Sequence, residues 1–190
     1  GNGGRNLNGR LDGDGIRIEA FEGGRTILGF NIQGNEITSN VLSGIHMNVA
    51  ADARLNVDIT RNLIDGNGTS AAASLADFAS GNGILTTENF GAATDRREIG
   101  GEWVANTITN NFGRGIRLDG TATNIFNEIA DTFTANNLLI GGNLIDSNGF
   151  DGILVNGPGR MTIDGNTITN NGVFAGLAAG TKEWTDPKTG

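Results

Sequence analysis

Along this chain, bulky apolar residues alternate with polar ones and then give way to the spacing Asn-x-Ile-x-x-Asn. The copies are Asn35, Ile37, Asn40; Asn62, Ile64, Asn67; Asn106, Ile108, Asn111; Asn143, Ile145, Asn148; and Asn166, Ile168, Asn171. Three residues before each first Asn stands Ile32, Ile59, Trp103, Ile140 or Ile163, and most copies add Phe30, Val57, Leu138 or Met161 two residues earlier. A period of two marks a strand with one buried face. A second signal is Gly followed by apolar residues at alternate positions, as in Gly15-Ile16-Arg17-Ile18, Gly44-Ile45-His46-Met47, Gly115-Ile116-Arg117-Leu118 and Gly152-Ile153-Leu154-Val155. Gly83-Ile84 and Gly176-Leu177 complete the set.

From first Asn to Gly the distance is nine residues in three copies, ten from Asn166 to Gly176, and twenty-one only from Asn62 to Gly83. A turn of constant length beside strands that recur at variable intervals is what a solenoid requires, because each coil must land on the one below. The pattern therefore predicts an all-β, single-stranded parallel β-helix of about six coils with inserted loops. It forms one domain over 1–190, with coils at roughly 12–180 and a tail at 181–190. Strands stacked about 4.8 Å apart would make a rod of roughly 29 Å. The second Asn of each motif, Asn40, Asn67, Asn111, Asn148 and Asn171, falls at a corner where side-chain amides one coil apart donate and accept, a structural ladder.

From about Gly13 to Ala179 this repeat resembles those of the pectate-lyase-like superfamily, in particular its carbohydrate-binding and sugar-hydrolysis type modules. The resemblance implies a right-handed coil. It is specific for fold and poor for activity, since the superfamily spans lyases, hydrolases, epimerases, tailspikes, adhesins and non-catalytic rods.

Charge narrows the partners. Thirteen basic against 21 acidic residues give a net charge of −8, which repels phosphate backbones and argues against nucleic acid. No apolar run approaches the roughly 20 residues that cross a bilayer. The absence of Cys permits an oxidising compartment, and the expected location is secreted or cell-surface.

Candidate chemistry lies in loops and on outward strand positions. Insertions at 68–82, 87–101 and 120–137 would form walls on one side of the rod. The middle one holds Asp95, Arg96, Arg97 and Glu98, where guanidinium forks could hold a uronate carboxylate, against the alternative of a solvated loop with internal salt bridges. With Ile16 and Ile18 inward, Arg17 points out, as do His46 and Arg117 at equivalent places. This basic stripe could hold an anionic polysaccharide. Asp12-Gly13-Asp14-Gly15 has part of a calcium loop, so Ca2+ at Asp12 and Asp14 is weighed against a simple turn; the full loop is missing. Thr107-Ile108-Thr109 and Thr167-Ile168-Thr169 suggest the ladders of ice-binding solenoids, but the intervening Leu63/Asp65 and Leu144/Asp146 break a flat Thr array.

For catalysis the inventory is thin. A β-eliminating lyase needs a base beside a uronate carboxyl group, yet Tyr is absent, the one His is His46, and the two Lys, Lys182 and Lys188, lie in the tail. Neither the Asp-Asp with Gly-His-Gly of polygalacturonases nor the Asp-Pro-His of alginate epimerases occurs, so no catalytic residue is assigned. The expectation is a non-catalytic extracellular module that binds a polysaccharide or cell-surface glycan, or serves as a structural rod. The alternatives are a lyase, epimerase or hydrolase fragment acting on acidic glycans, and a filament subunit stacking end to end. Gly1 to Arg10 lacks the amphipathic helix that usually caps such rods, so more coils or another subunit are expected before it.

Overall fold

The computed structural model describes residues 4–5, 11–20, 27–50, 54–68, 81–89, 98–119, 134–156 and 159–172. Among these the secondary structure is β-strand alone. A short antiparallel pair, β1 (Gly4–Arg5) with β2 (Leu11–Asp12), precedes the repeat. Five coils follow, each giving one strand to each of three sheets. The anchor sheet, which begins after each anchor Gly, is β3 (Ile16–Ala20), β6 (Ile45–Ala50), β9 (Ile84–Asn89), β12 (Ile116–Asp119) and β15 (Ile153–Asn156). The long sheet is β4 (Ile27–Gln33), β7 (Arg54–Thr60), β10 (Glu98–Val104), β13 (Thr134–Gly141) and β16 (Gly159–Asp164). The short sheet is β5 (Glu36–Thr38), β8 (Leu63–Asp65), β11 (Thr107–Thr109), β14 (Leu144–Asp146) and β17 (Thr167–Thr169).

All pairing within these sheets is parallel and in sequential coil order, so the chain is a parallel β-helix. The sixth anchor, Gly176-Leu177, and the tail lie outside the described residues. Two insertions are shorter than the sequence suggests: Thr87 to Asn89 belong to β9, Glu98 opens β10, and Thr134 to Asn137 open β13. In parallel sheets the backbone ladder claims these residues first.

Register puts like on like. Ile32, Ile59, Trp103, Ile140 and Ile163 form one inward column, and Ile37, Ile64, Ile108, Ile145 and Ile168 another. In the middle coils both columns are shut from water, including the whole of Trp103. That coil is also the one without an apolar residue two places earlier. It has Gly101, at φ +118, where a Cβ would run into the carbonyl of Val57. The space goes instead to the indole of Trp103, whose Nε1 donates to the Val57 carbonyl at 3.0 Å, as a buried indole N–H requires.

The expected ladder is present, and it is one of two. In the second column Asn40, Asn67, Asn111 and Asn148 each donate Nδ2 to the Oδ1 of the next coil's Asn at 2.8–2.9 Å. The first Asn of each motif does the same, Asn35 to Asn62, Asn106, Asn143 and Asn166, at 2.8–3.1 Å. Inside the stack nothing is left over. Asn111 donates its backbone N–H and Nδ2 to Asn148 Oδ1 and Nδ2 also to the Ile64 carbonyl, while its Oδ1 accepts from both the N–H and the Nδ2 of Asn67.

Each ladder Asn follows a residue at positive φ: Gly34, Arg61, Ala105, Gly142 and Gly165 before the first column, Ser39, Gly66, Asn110, Ser147 and Asn170 before the second. Holding a non-glycine residue there costs about 1–2 kcal/mol, which the fully satisfied amide offsets. The anchor glycines have a packing reason. A Cβ on Gly115 would stand 2.5 Å from Ile145 Cγ2 and 2.6 Å from the Gly152 carbonyl, and the four other anchors in the described coils meet their own coil's Ile and Asn in the same way.

One insertion, residues 69–80, leaves and rejoins its coil at a neck. There Gly68 and Gly81 touch through their backbones, so that a Cβ on Gly68 would collide with the Gly81 Cα. Across the neck the coil resumes its ladder, with the Phe112 N–H donating to the Asn67 carbonyl and the Gly113 N–H to that of Gly81.

Candidate functional site

The outer face of the anchor sheet brings together side chains distant in sequence. Arg17, His46, Leu85, Arg117 and Leu154 lie in one outward column, as the sequence predicts. Two residues further along each strand runs a second column with Glu19, Asn48, Thr87, Asp119 and Asn156. The cations of the stripe are engaged by acids of the protein itself. Arg17 Nε donates to Glu19 at 2.6 Å, Arg17 Nη1 lies 3.4 Å from Asp14, and Arg117 pairs with Asp119. The face therefore carries alternating charges rather than the open basic track that an anionic polymer needs.

Asp14, the residue before the first anchor Gly, is the hub. Its side chain is only 3% exposed. Its Oδ1 accepts the backbone N–H of Ser43 at 3.0 Å and its Oδ2 lies 3.1 Å from His46 Nδ1. The other ring nitrogen, Nε2, is 2.7 Å from Thr87 Oγ1. Three coils thus meet at one imidazole. At Asp14, where calcium was weighed against a simple turn, both carboxylate oxygens face groups of the protein itself, and among the described residues no group of three or more His, Cys, Asp or Glu could hold a metal ion. Asp12 lies in β2.

Beside Thr87 in the register is Asn48, 5% exposed, whose Oδ1 is buried without a hydrogen-bond partner. A buried amide oxygen without a donor is rare in folded proteins.

Of the candidate uronate cluster, Asp95, Arg96 and Arg97 lie outside the described residues, and Glu98 is a strand residue aligned with Arg54 and Thr134. On the short sheet's outer face Thr38, Asp65, Thr109, Asp146 and Thr169 alternate in one column. Each Asp takes the hydroxyl of the Thr one coil on, Thr109 to Asp65 at 2.7 Å and Thr169 to Asp146 at 2.6 Å. The Asp146 carboxyl is held below the ordinary 3.8 by the hydroxyl of Thr169, then that of Ser147, then the Asn170 amide. With the two Asp separated by a coil and occupied by protein donors, they do not form the facing pair of a glycosidase.

Comparison with known proteins adds no family: no protein-family model matches the chain, and no curated protein or solved structure is significantly similar to it.

Proposed function

We propose that the chain is a rod-like module, secreted or at a cell surface, that binds a polysaccharide along the outer face of the anchor sheet. The observation that carries this reading is the second outward column, Glu19, Asn48, Thr87, Asp119 and Asn156, which sets one hydrogen-bonding side chain per coil on a rigid parallel sheet. A linear polymer offers hydroxyls at a comparable repeat. Because Arg17 and Arg117 are paired with Glu19 and Asp119, neutral or weakly charged glycans suit this face better than polyuronates.

A glycan array, followed by pull-down with the retained polymer, tests it. Retention should fall about tenfold on Asn156→Ala, the loss of roughly one hydrogen bond's worth of net binding energy. Retention of no polysaccharide overturns the proposal.

A second reading has its own support at the first and last of the described coils. Phe30, Ile163 and Ile168 occupy inward columns yet are 42%, 46% and 47% exposed, whereas the coils between bury those columns fully. Both Asn ladders run in one direction, so a second copy stacked head to tail would continue them, a contact that does not close and makes fibres. Light scattering that stays constant with concentration removes this reading.

A further inference from the structure

We propose that Asp14, His46 and Thr87 form a nucleophilic relay in which Thr87 Oγ1 takes an acyl group from an ester and passes it to water. The proposal goes beyond glycan binding and does not rest on it.

The geometry fixes the roles. A carboxylate only accepts hydrogen bonds, so with Asp14 ionised the proton shared along the 3.1 Å contact sits on His46 Nδ1. With the ring neutral, Nε2 carries a lone pair, and across the 2.7 Å contact the Thr87 hydroxyl donates to it. That is the arrangement of an activated alcohol: a buried acid orients the base, and the base holds the nucleophile's proton. Asp14 is itself fixed by the Ser43 N–H and flanked by Arg17. His46 and Thr87 face outward and are partly buried, with the His46 side chain 14% exposed.

Asn48 supplies the second, independent observation. It lies directly beside Thr87 and carries a buried amide oxygen with no donor. The wall beside the nucleophile is therefore polar and unsatisfied, which an apolar packing role does not explain.

In the step itself, Thr87 Oγ1 bonds to the ester carbonyl carbon while its proton passes to His46 Nε2. Collapse of the tetrahedral intermediate breaks the bond to the leaving alkoxide, which takes that proton and departs as an alcohol. Water then attacks the acyl-threonine with His46 again as base, releasing a carboxylic acid and restoring the hydroxyl.

The test incubates the chain with p-nitrophenyl acetate, follows nitrophenolate release, and locates acetyl groups by peptide mass spectrometry. The expected result is acetylation at Thr87 with turnover. Thr87→Val, which keeps the branched shape, should abolish the adduct, whereas Thr87→Ser should keep it. His46→Gln should slow release about 100-fold or more. Circular dichroism on each variant checks that the rod is intact, and a merely structural cluster would leave the wild-type hydroxyl unacetylated. Acetyl groups only on Lys182, Lys188 or the N-terminus, or wild-type release rates from Thr87→Val, overturn the proposal.

Discussion

At the two bends that flank the short sheet, the inward polar residue is Asn in every coil. Further along the second of these bends, at the residue just before the anchor glycine, identity and burial both vary: Asp14, Ser43, Asn82, Arg114 and Asp151 in turn. Where identity repeats, hydrogen bonds close upon themselves along the rod and leave nothing to offer a ligand. Where it varies, each coil solves its bend differently. Asn82 Oδ1 takes the Arg114 N–H at 2.9 Å, Arg114 Nε reaches Asp151 at 2.8 Å over the ring of Phe150, and the Ser43 hydroxyl is buried without a partner. The uniform positions hold the rod together, and it is the irregular one that supplies Asp14 to His46.

The sharpest way to break this contrast is Asn111→Ala. It strips partners from the Asn67 N–H, the Asn67 Nδ2 and the Ile64 carbonyl in a site sealed from water. The expected loss is about 3–5 kcal/mol of stability by denaturant unfolding; a loss under 1 kcal/mol would mean that the ladder merely decorates the bend.

Just outside the same bend, Thr169→Val removes the strongest influence on Asp146. Its carboxyl should then titrate closer to 3.8 when followed by carbon-13 NMR. The sign follows from the direction: a carboxyl lowered in the folded rod contributes stability above its unfolded value, and that contribution is lost as pH falls through the folded value. Thr169→Val should narrow the acid window over which the loss occurs, and an unmoved titration would refute the assignment. The smallest effect is expected at the irregular position, where Ser43→Ala removes a hydroxyl that bonds to nothing and should change stability by no more than about 0.5 kcal/mol in either direction.

The coil and its spacing were legible because a solenoid repeats its constraints: Ile over Ile and Asn over Asn leave a periodic trace. The first Asn column could have been recognised too, since Asn35, Asn62, Asn106, Asn143 and Asn166 are as invariant within the chain as the second. Only the second was expected to stack. The anchor glycines announced themselves without their reason, which is the collision with Ile and Asn of the same coil. The Asp14, His46 and Thr87 cluster left no such trace. Its members stand 32 and 41 residues apart and occur once, so only the register, aligning His46 with Arg17 and Leu85, brings them to one place. The outward column was foreseen as basic; the acids two residues further along each strand, Glu19 and Asp119, were not weighed, and they change its character.

The pinched neck at Gly68 and Gly81 has a consequence for how such a rod can change. A segment whose two ends meet can be lengthened, shortened or exchanged while the cross-section beneath it stays the same, because closure entropy grows only slowly with loop length. The neck at Gly68 and Gly81 is therefore an attachment point, across which peptides of different length can be joined over one and the same cross-section.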